Sequence, residues 1–264
     1  MRAAGEAGVE LLALTDHDTV AGVEEALATA RELGLGLVTA TELSSVDGEH
    51  EELHVLGYGI DHRDEALLAT LADLRGDRER RIHAMAAGLV EAGFALDDAE
   101  LRARSERGEP LGRPHLAKAI LDHPDNRRRL EAEGIEGPNQ LFPRYLVPGA
   151  PTYVARSRPT VADAIGLIHA AGGQAVWAHP FWDLDSPDEV EASLRRYASL
   201  GIDGVEAFYP THGPDQVALL ARLADELELP LVTGSADFHG PGHGTFSGFL
   251  AFETYGHEPR LPPP

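Results

Sequence analysis

The stretch VELLALTDHD, residues 9–18, decides the fold, because it joins a short apolar run to three polar side chains. A small residue and Gly8 precede the run, as at the end of a helix, where glycine is the usual capping residue. Short Leu- and Val-rich runs of this kind are typical of strands buried on both faces. Similar runs, most of them also preceded by glycine, recur at residues 35–40, 174–178, 202–209 and 231–233.

The segments between these runs predict helices. Thr160 and Asp163, for example, have the spacing of a capping box at the start of a helix. Alternating strands and helices predict parallel strands joined by crossovers. We therefore expect an α/β barrel first and an open doubly wound sheet second. The predicted divisions are a first barrel part (1–61), a mainly helical insertion (62–150), a second barrel part (151–256) and a tail (257–264).

Composition narrows the possible functions. The chain has 264 residues, with 22 Lys and Arg against 44 Asp and Glu, a net charge of −22. This charge argues against broad attraction to duplex nucleic acid but allows a phosphate held in a small cationic site. The sequence has no cysteine, which excludes disulfides, thiolate nucleophiles and Cys-ligated zinc. No apolar run approaches the ~18 residues of a membrane span. We expect a cytoplasmic protein without a membrane partner.

Imidazole and carboxylate groups follow several of the predicted strands. Reacting groups of parallel barrels collect at the carboxyl ends of strands, so these side chains are candidates for one site. Such ligands suit Zn, Mn and Fe, and suit Mg less well. Each residue also has a simpler interpretation: Asp18 could cap a helix, His54 could be a core residue, and His179 could belong to a turn. The candidates are Asp16, His17, Asp18, Glu42, His179, Asp237 and His239, with His54 inside a further strand-like run.

Several motifs together resemble the PHP (polymerase and histidinol phosphatase) family. They are TDHDT at 15–19, ELS at 42–44, HVLGY at 54–58, GRPH at 112–115, AHP at 178–180 and GSADFHG at 234–240. The resemblance implies a distorted (β/α)7 TIM-like barrel with a mainly helical insertion. The insertion resembles that of nucleotide phosphoesterases, which remove the 3′-phosphate of 3′,5′-bisphosphonucleotides or shorten small oligoribonucleotides from the 5′ end. The resemblance implies that the substrate is a small phosphorylated molecule, and short single-stranded RNA is a further possible substrate.

The resemblance also assigns roles by position. It implies two or three divalent metals, with Mn ahead of Fe, Zn and Mg. The resemblance places Asp16 and His17 among the catalytic residues. Asp16 resembles a residue that orients an imidazole. Arg113 and His115 resemble catalytic residues that bind the substrate phosphate, and their alternative role is packing within the insertion. The implied metal ligands are Glu42 as the bridge with His54 and His179, Asp237 on a neighbouring metal, and His17 with His239 on a third.

One departure from the family pattern leaves alternatives open. The family's first motif, a His-x-His pair followed by an Asp, would precede residue 1, so we expect the first strand to be missing from this chain. The leading hypothesis is hydrolysis of a nucleotide phosphate by a metal-activated water. The alternatives are a histidinol-phosphate phosphatase and a catalytically dead metal-binding chain.

Overall fold

The computed structural model describes residues 1–107, 111–156 and 159–264. The chain forms two compact units. The sheet unit comprises Met1–Leu71 and Arg158–Pro264, and the helical unit comprises Ala72–Ser157. All strands of the described residues belong to the sheet unit. The helical unit thus lies within the range 62–150 predicted as an insertion, except for a few residues at its end.

The strands are short and form a two-stranded and a five-stranded sheet. The first sheet pairs β1 with β2, and the second has the order β3-β4-β5-β6-β7. Each apolar run predicted from the sequence overlaps one of these strands. The strands are β1 (Leu11–Ala13), β2 (Gly36–Val38), β3 (Ala40–Asp47), β4 (His50–Tyr58), β5 (Gln174–Trp177), β6 (Gly204–Phe208) and β7 (Leu231–Gly234).

The pairing of the strands corrects the expectation of parallel strands in one respect. β1–β2, β5–β6 and β6–β7 are parallel, whereas β3–β4 and β4–β5 are antiparallel. β3 and β4 form a hairpin because only a two-residue turn joins them, with Gly48 at φ 61°. A parallel pair would need a much longer crossover connection. The mixed α/β class is confirmed, and the described residues show two sheets rather than a closed barrel.

Helices follow most of the strands and make up the helical unit. The capping box predicted at Thr160 is confirmed, since its side chain accepts a hydrogen bond from the backbone N–H of Asp163. No helix in the described part of the chain is both long and apolar enough to cross a bilayer. The helices are α1 (Arg2–Glu6), α2 (Val23–Leu33), α3 (Glu65–Glu91), α4 (Ala99–Glu106), α5 (Arg113–Asp122), α6 (Arg127–Glu133), α7 (Pro138–Leu141), α8 (Val161–Ala170), α9 (Pro180–Asp183), α10 (Pro187–Ser199) and α11 (Pro214–Glu226).

Each unit has a hydrophobic core of its own. In the sheet unit, Val38, Leu56 and Val176 belong to a buried cluster between strands. The helical unit buries a separate cluster that includes Leu89 and Leu116. The core of the sheet unit draws on residues of β2, β3, β4, β5 and β7.

The last residues of the chain attach to the five-stranded sheet. Arg260, in the segment predicted as a tail, exchanges two backbone hydrogen bonds of 2.9 Å with Val232 of β7. Its guanidinium also contacts Asp225 at 2.7 Å. At this point the segment is therefore held in place.

Candidate metal centre

Glu42 and His54 lie on the same face of the β3–β4 hairpin. Ser44 is opposite His54 in the antiparallel register, and residues two apart on a strand share a face. Glu42 is therefore a diagonal neighbour of His54. Glu42 is buried, and its Oε1 atom lies 3.1 Å from Nδ1 of His54. The hairpin brings two predicted ligands together.

His179 joins them from the end of β5. The N–H of Ala178 donates a 3.1 Å hydrogen bond to the carbonyl oxygen of His54, which places the next residue beside that imidazole. Nε2 of His179 is 3.3 Å from Oε1 of Glu42 and 3.2 Å from Nδ1 of His54. The backbone of His179 is left-handed, with φ 30°. Such strain in a non-glycine residue is concentrated at functional sites.

The segment that follows β1 runs alongside β3. His17 forms an isolated parallel bridge with Glu42, and its Nδ1 is 3.8 Å from Oε2 of that carboxylate. The Glu42 N–H donates to the carbonyl oxygen of Asp16, and the Asp18 N–H donates to the Glu42 carbonyl oxygen. The Asp18 carboxylate accepts hydrogen bonds from the N–H and hydroxyl of Ser44. Asp18 therefore fastens this segment to β3 instead of capping α2.

Asp237 and His239 follow β7, with Asp237 at φ 48°. The hydroxyl of Tyr209 donates a 2.7 Å hydrogen bond to Oδ2 of Asp237. Nδ1 of His239 contacts the carbonyl oxygen of Asp237 at 2.7 Å. Burial raises the pKa of Asp16, while the nearby imidazoles of His17 and His239 act to lower it. Asp16 is thus electrostatically coupled to both histidines.

Glu42 carries the main negative charge among these imidazoles. Burial by itself would raise the pKa of Glu42, but His17, His54 and His179 together hold it well below its usual range. Burial acts to lower the pKa of His179, yet its hydrogen bond with Glu42 and other acidic neighbours raise that pKa to about 9. Glu42 is therefore ionised at neutral pH and available as a ligand.

Two further acidic residues, which the sequence analysis did not predict, surround His179. The backbone N–H of His179 donates a 3.0 Å hydrogen bond to Oε2 of Glu206, and Oδ2 of Asp183 lies 3.7 Å from Nδ1 of the imidazole. Burial raises the pKa of Glu206 to about 8 and that of Asp183 to about 7. A carboxylate inside the apolar run 202–209 was the available signal for Glu206. Asp183 lies one helical turn beyond His179 and had no comparable signal.

The donor atoms of this cluster fit divalent cations. Two groups of three residues each present ligand atoms within 4.8 Å of one another: His17, Glu42 and His54, and His54, His179 and Asp183. Nδ1 of His17 and Nδ1 of His179 are buried and have no hydrogen-bond partner among the described residues. Imidazoles and carboxylates of this kind are suited to Zn, Mn and Fe, and Glu42 and His179 among them are buried. The centre is built for metal rather than for packing alone.

Arg113 and His115 lie at the start of α5, in the helical unit. Nη1 of Arg113 donates a 3.1 Å hydrogen bond to the carbonyl oxygen of Leu146, and its guanidinium lies 5.9 Å from the ring centre of Phe142. Nδ1 of His115 accepts a hydrogen bond from the N–H of Gly112 and so helps to begin the helix. These contacts show packing within the helical unit, and a role for either residue in phosphate binding stays a prediction.

Comparisons with known proteins agree with this chemistry. No protein-family model matches the chain. It is 34% identical to a 3′,5′-nucleoside bisphosphate phosphatase of Chromobacterium violaceum over 96% of this chain and 82% of that protein. It is 33% identical to a 5′-3′ exoribonuclease of Haemophilus influenzae over 89% and 81%. It is 32% identical to a phosphoribosyl 1,2-cyclic phosphate 1,2-diphosphodiesterase of Eggerthella lenta over 90% and 86%.

Solved structures give the same result. A protein from Bifidobacterium adolescentis assigned as a metal-dependent phosphoesterase matches with a TM-score of 0.75 and 28% identity, covering 94% of this chain and 83% of that one. An amidohydrolase from Chromobacterium violaceum with bound sulfate matches with a TM-score of 0.71 and 32% identity, over 91% and 81%. Taken with the motifs and the cluster around Glu42, these similarities show that the chain belongs to the PHP family of metal-dependent phosphoesterases.

Proposed function

We propose that this phosphoesterase hydrolyses a small nucleotide of the 3′,5′-bisphosphonucleotide type or a short single-stranded oligoribonucleotide. The contacts of Glu42 with His54 and His179 carry the proposal, because they bring together candidate metal ligands from β3, from β4 and from the segment after β5. The similar proteins named as a bisphosphate phosphatase and an exoribonuclease support the substrate class. The net charge of −22 argues against duplex nucleic acid as a partner, because the phosphate backbone is also negative.

We propose two or three divalent metals, with manganese first. Glu42 would bridge two of them, accompanied by His54 and His179, and Asp237 would bind a neighbouring ion. His17 and His239 would hold a third. When bound, such metals would lower the pKa of a water to near neutrality and offset the charge that develops on the phosphoryl oxygens.

Other side chains of the protein would hold the proposed metal ligands in position. Asp16 is coupled to His17 and His239 and would keep these imidazoles oriented. Tyr209 fixes the Asp237 carboxylate through its hydrogen bond, and burial together with that carboxylate raises the pKa of the phenol far above its usual value. Tyr209 therefore stays a donor at neutral pH.

Arg113 and His115 are proposed to bind the substrate phosphate. The planar guanidinium of Arg113 presents paired N–H groups that match phosphate oxygens. In Arg113→Lys the charge remains and the paired geometry is lost. We expect KM for the nucleotide to rise several-fold, with the metal content unchanged. An unchanged KM would assign Arg113 to packing alone.

We also propose that the two sheets are parts of a distorted (β/α)7 barrel, with 62–150 as its insertion. The parallel bridge between His17 and Glu42 supports this, since it connects the segment after β1 to β3 and so continues the strand order from β2 to β7. The second barrel part would be 151–256. An experimental structure with the strands joined in this order would establish the barrel.

The decisive experiment compares substrates on the metal-loaded protein. Release of inorganic phosphate is measured from adenosine 3′,5′-bisphosphate and from histidinol phosphate, and release of mononucleotides is measured from a short oligoribonucleotide, each with Mn, Fe, Zn or Mg. We expect hydrolysis of a nucleotide substrate that is lost on chelation and restored by metal. Preference for histidinol phosphate would favour the second phosphatase hypothesis. Bound metal without turnover of any ester would indicate a catalytically dead chain.

A further inference from the structure

A group of aromatic rings lies beside the metal centre. One ring comes from the segment after β5, one comes from the residue that follows β6, and three come from the loop after β7. All of them belong to the sheet unit. We call this group the aromatic platform, and its members are Trp182, Tyr209, His239, His243 and Phe246.

Phe246 is the centre of the aromatic platform. Its ring centre lies 5.5 Å from that of Trp182, 5.7 Å from that of Tyr209 and 5.8 Å from that of His239. The imidazole of His243 stacks on it at 5.3 Å with an interplanar angle of 23°. These separations are those of interacting aromatic pairs. The rings therefore hold one another in place.

The platform has a buried base and an exposed upper layer. Tyr209 and Phe246 are buried, at 2% and 6% exposure, whereas Trp182 is 54% exposed. His243 is exposed as well. A rigid base that supports exposed rings is a surface prepared for a flat ligand, since the exposed indole has lost freedom without being buried.

The platform is continuous with the metal centre. The backbone N–H of Trp182 donates a 2.8 Å hydrogen bond to the carbonyl oxygen of His179, so Trp182 lies one turn beyond a predicted ligand. The ring of Tyr209 is 5.3 Å from the imidazole of His179, and its hydroxyl contacts Asp237. A ligand on the platform therefore lies next to whatever occupies the centre.

We propose that the aromatic platform stacks a nucleobase of the substrate while the phosphate group lies at the metal centre. This inference rests on the proposed function, which supplies a substrate with both groups. Every base offers a π-face, so stacking on Trp182 and His243 would accept any of the four bases. The platform would make the enzyme select nucleotides over phosphate esters without a base, and it would use the base to align the phosphate.

Tryptophan fluorescence tests the contact directly. The chain has two tryptophans, and Trp177 is fully buried while Trp182 is exposed. Adenosine 5′-monophosphate and ribose 5-phosphate are titrated into the metal-loaded protein, with excitation at the red edge of the indole band, where adenine does not absorb. We expect quenching by the nucleotide, little by the sugar phosphate, and none by either in Trp182→Phe. Equal quenching by both ligands, or quenching that persists in Trp182→Phe, would overturn the proposal.

Kinetics provide an independent test. For each variant, kcat/KM is measured for adenosine 3′,5′-bisphosphate and for ribose 3,5-bisphosphate, which lacks the base. The ratio of the two values reports the contribution of the base. We expect Trp182→Ala to lower the ratio about tenfold and Trp182→Phe to restore most of it. Leu200→Ala, an exposed residue at the end of α10, is the matched control and should leave the ratio unchanged. An unchanged ratio in Trp182→Ala would contradict the platform. If the unaltered protein released no phosphate from either ester, the proposed function would fail, and the fluorescence titration would still decide the platform.

Discussion

A buried amide of the helical unit and a buried imidazole of the sheet unit differ in how their polar atoms are paired. In the helical unit, Asn126 is 2% exposed, and its amide group makes three hydrogen bonds, two with the backbone of Ala95 and one with the carbonyl oxygen of Ile120. In the sheet unit, Nδ1 of His179 is buried and has no hydrogen-bond partner among the described residues, and the Asp183 carboxylate lies 3.7 Å from it. A satisfied buried amide is a structural element, whereas an unsatisfied acidic and imidazole cluster is prepared for a ligand.

Replacing Glu42 should have the largest effect on function of the substitutions considered. Glu42→Gln keeps the shape of the side chain but removes the charge that faces His17, His54 and His179. We expect bound metal per chain to fall and kcat/KM to decrease by more than about 100-fold, beyond what the loss of an outer contact costs. Elemental analysis and phosphate release measure both effects. Glu189→Gln, at an exposed glutamate of α10, is the control. Full metal content in Glu42→Gln would remove Glu42 from the ligand set.

The converse change tests the structural role of Asn126. Asn126→Ala leaves the N–H and carbonyl of Ala95 and the carbonyl of Ile120 without their buried partner. We expect the free energy of unfolding to fall by about 3 kcal/mol, since each unsatisfied buried group costs about 1–3 kcal/mol. Urea denaturation measures the loss, and metal content should not change. Loss of metal without loss of stability would contradict the contrast between the units.

A third prediction concerns pH and a histidine near the centre. His212 is buried, with Nδ1 hydrogen-bonded to the carbonyl oxygen of Ala207, and burial lowers its pKa to about 4. The unfolded chain then binds the proton more strongly, so stability is complete above about pH 6.5 and is lost as the pH falls towards 4. We expect a loss of about 2 kcal/mol between pH 6.5 and pH 5.

The matched variant for this prediction is His212→Gln. Glutamine can still donate a hydrogen bond to the Ala207 carbonyl, but it does not titrate in this range. Unfolding free energies measured across the pH range should therefore show a shallower slope in the variant than in the natural protein. An identical slope would mean that other groups control the acid sensitivity.

The smallest expected effect concerns Asp183, which lies at the edge of the metal centre. Asp183→Asn removes the carboxylate that faces Nδ1 of His179. We expect metal affinity to fall about tenfold, because groups that orient a ligand imidazole typically contribute that much. Metal titration measures the change, and Asp185→Asn, at an exposed position of the same segment, is the control. Equal affinities for the two variants would show that Asp183 does not act on His179.

The sequence predicted the strands other than β3 and most of the candidate site residues, and the physical reason is local. A polar residue at the end of an apolar run is visible in the linear chain, as at His17 and His179. The antiparallel pairing of β3 with β4 was not predicted. Residues 40–47 mix apolar and polar types and resemble the end of a parallel strand. Glu206 and Asp183 were missed because burial, not spacing, makes them notable.

What the sequence by itself determined is therefore the set of chemical groups and the strands that carry them. Periodicity and capping are local properties, so they can be read from neighbouring residues. Only the tertiary structure decided which of those groups meet. The 3.1 Å contact of Glu42 with His54 depends on the register of a hairpin, and the approach of His179 depends on strand pairing across more than one hundred positions in the chain. Such distances follow from long-range packing, which no short stretch of sequence encodes.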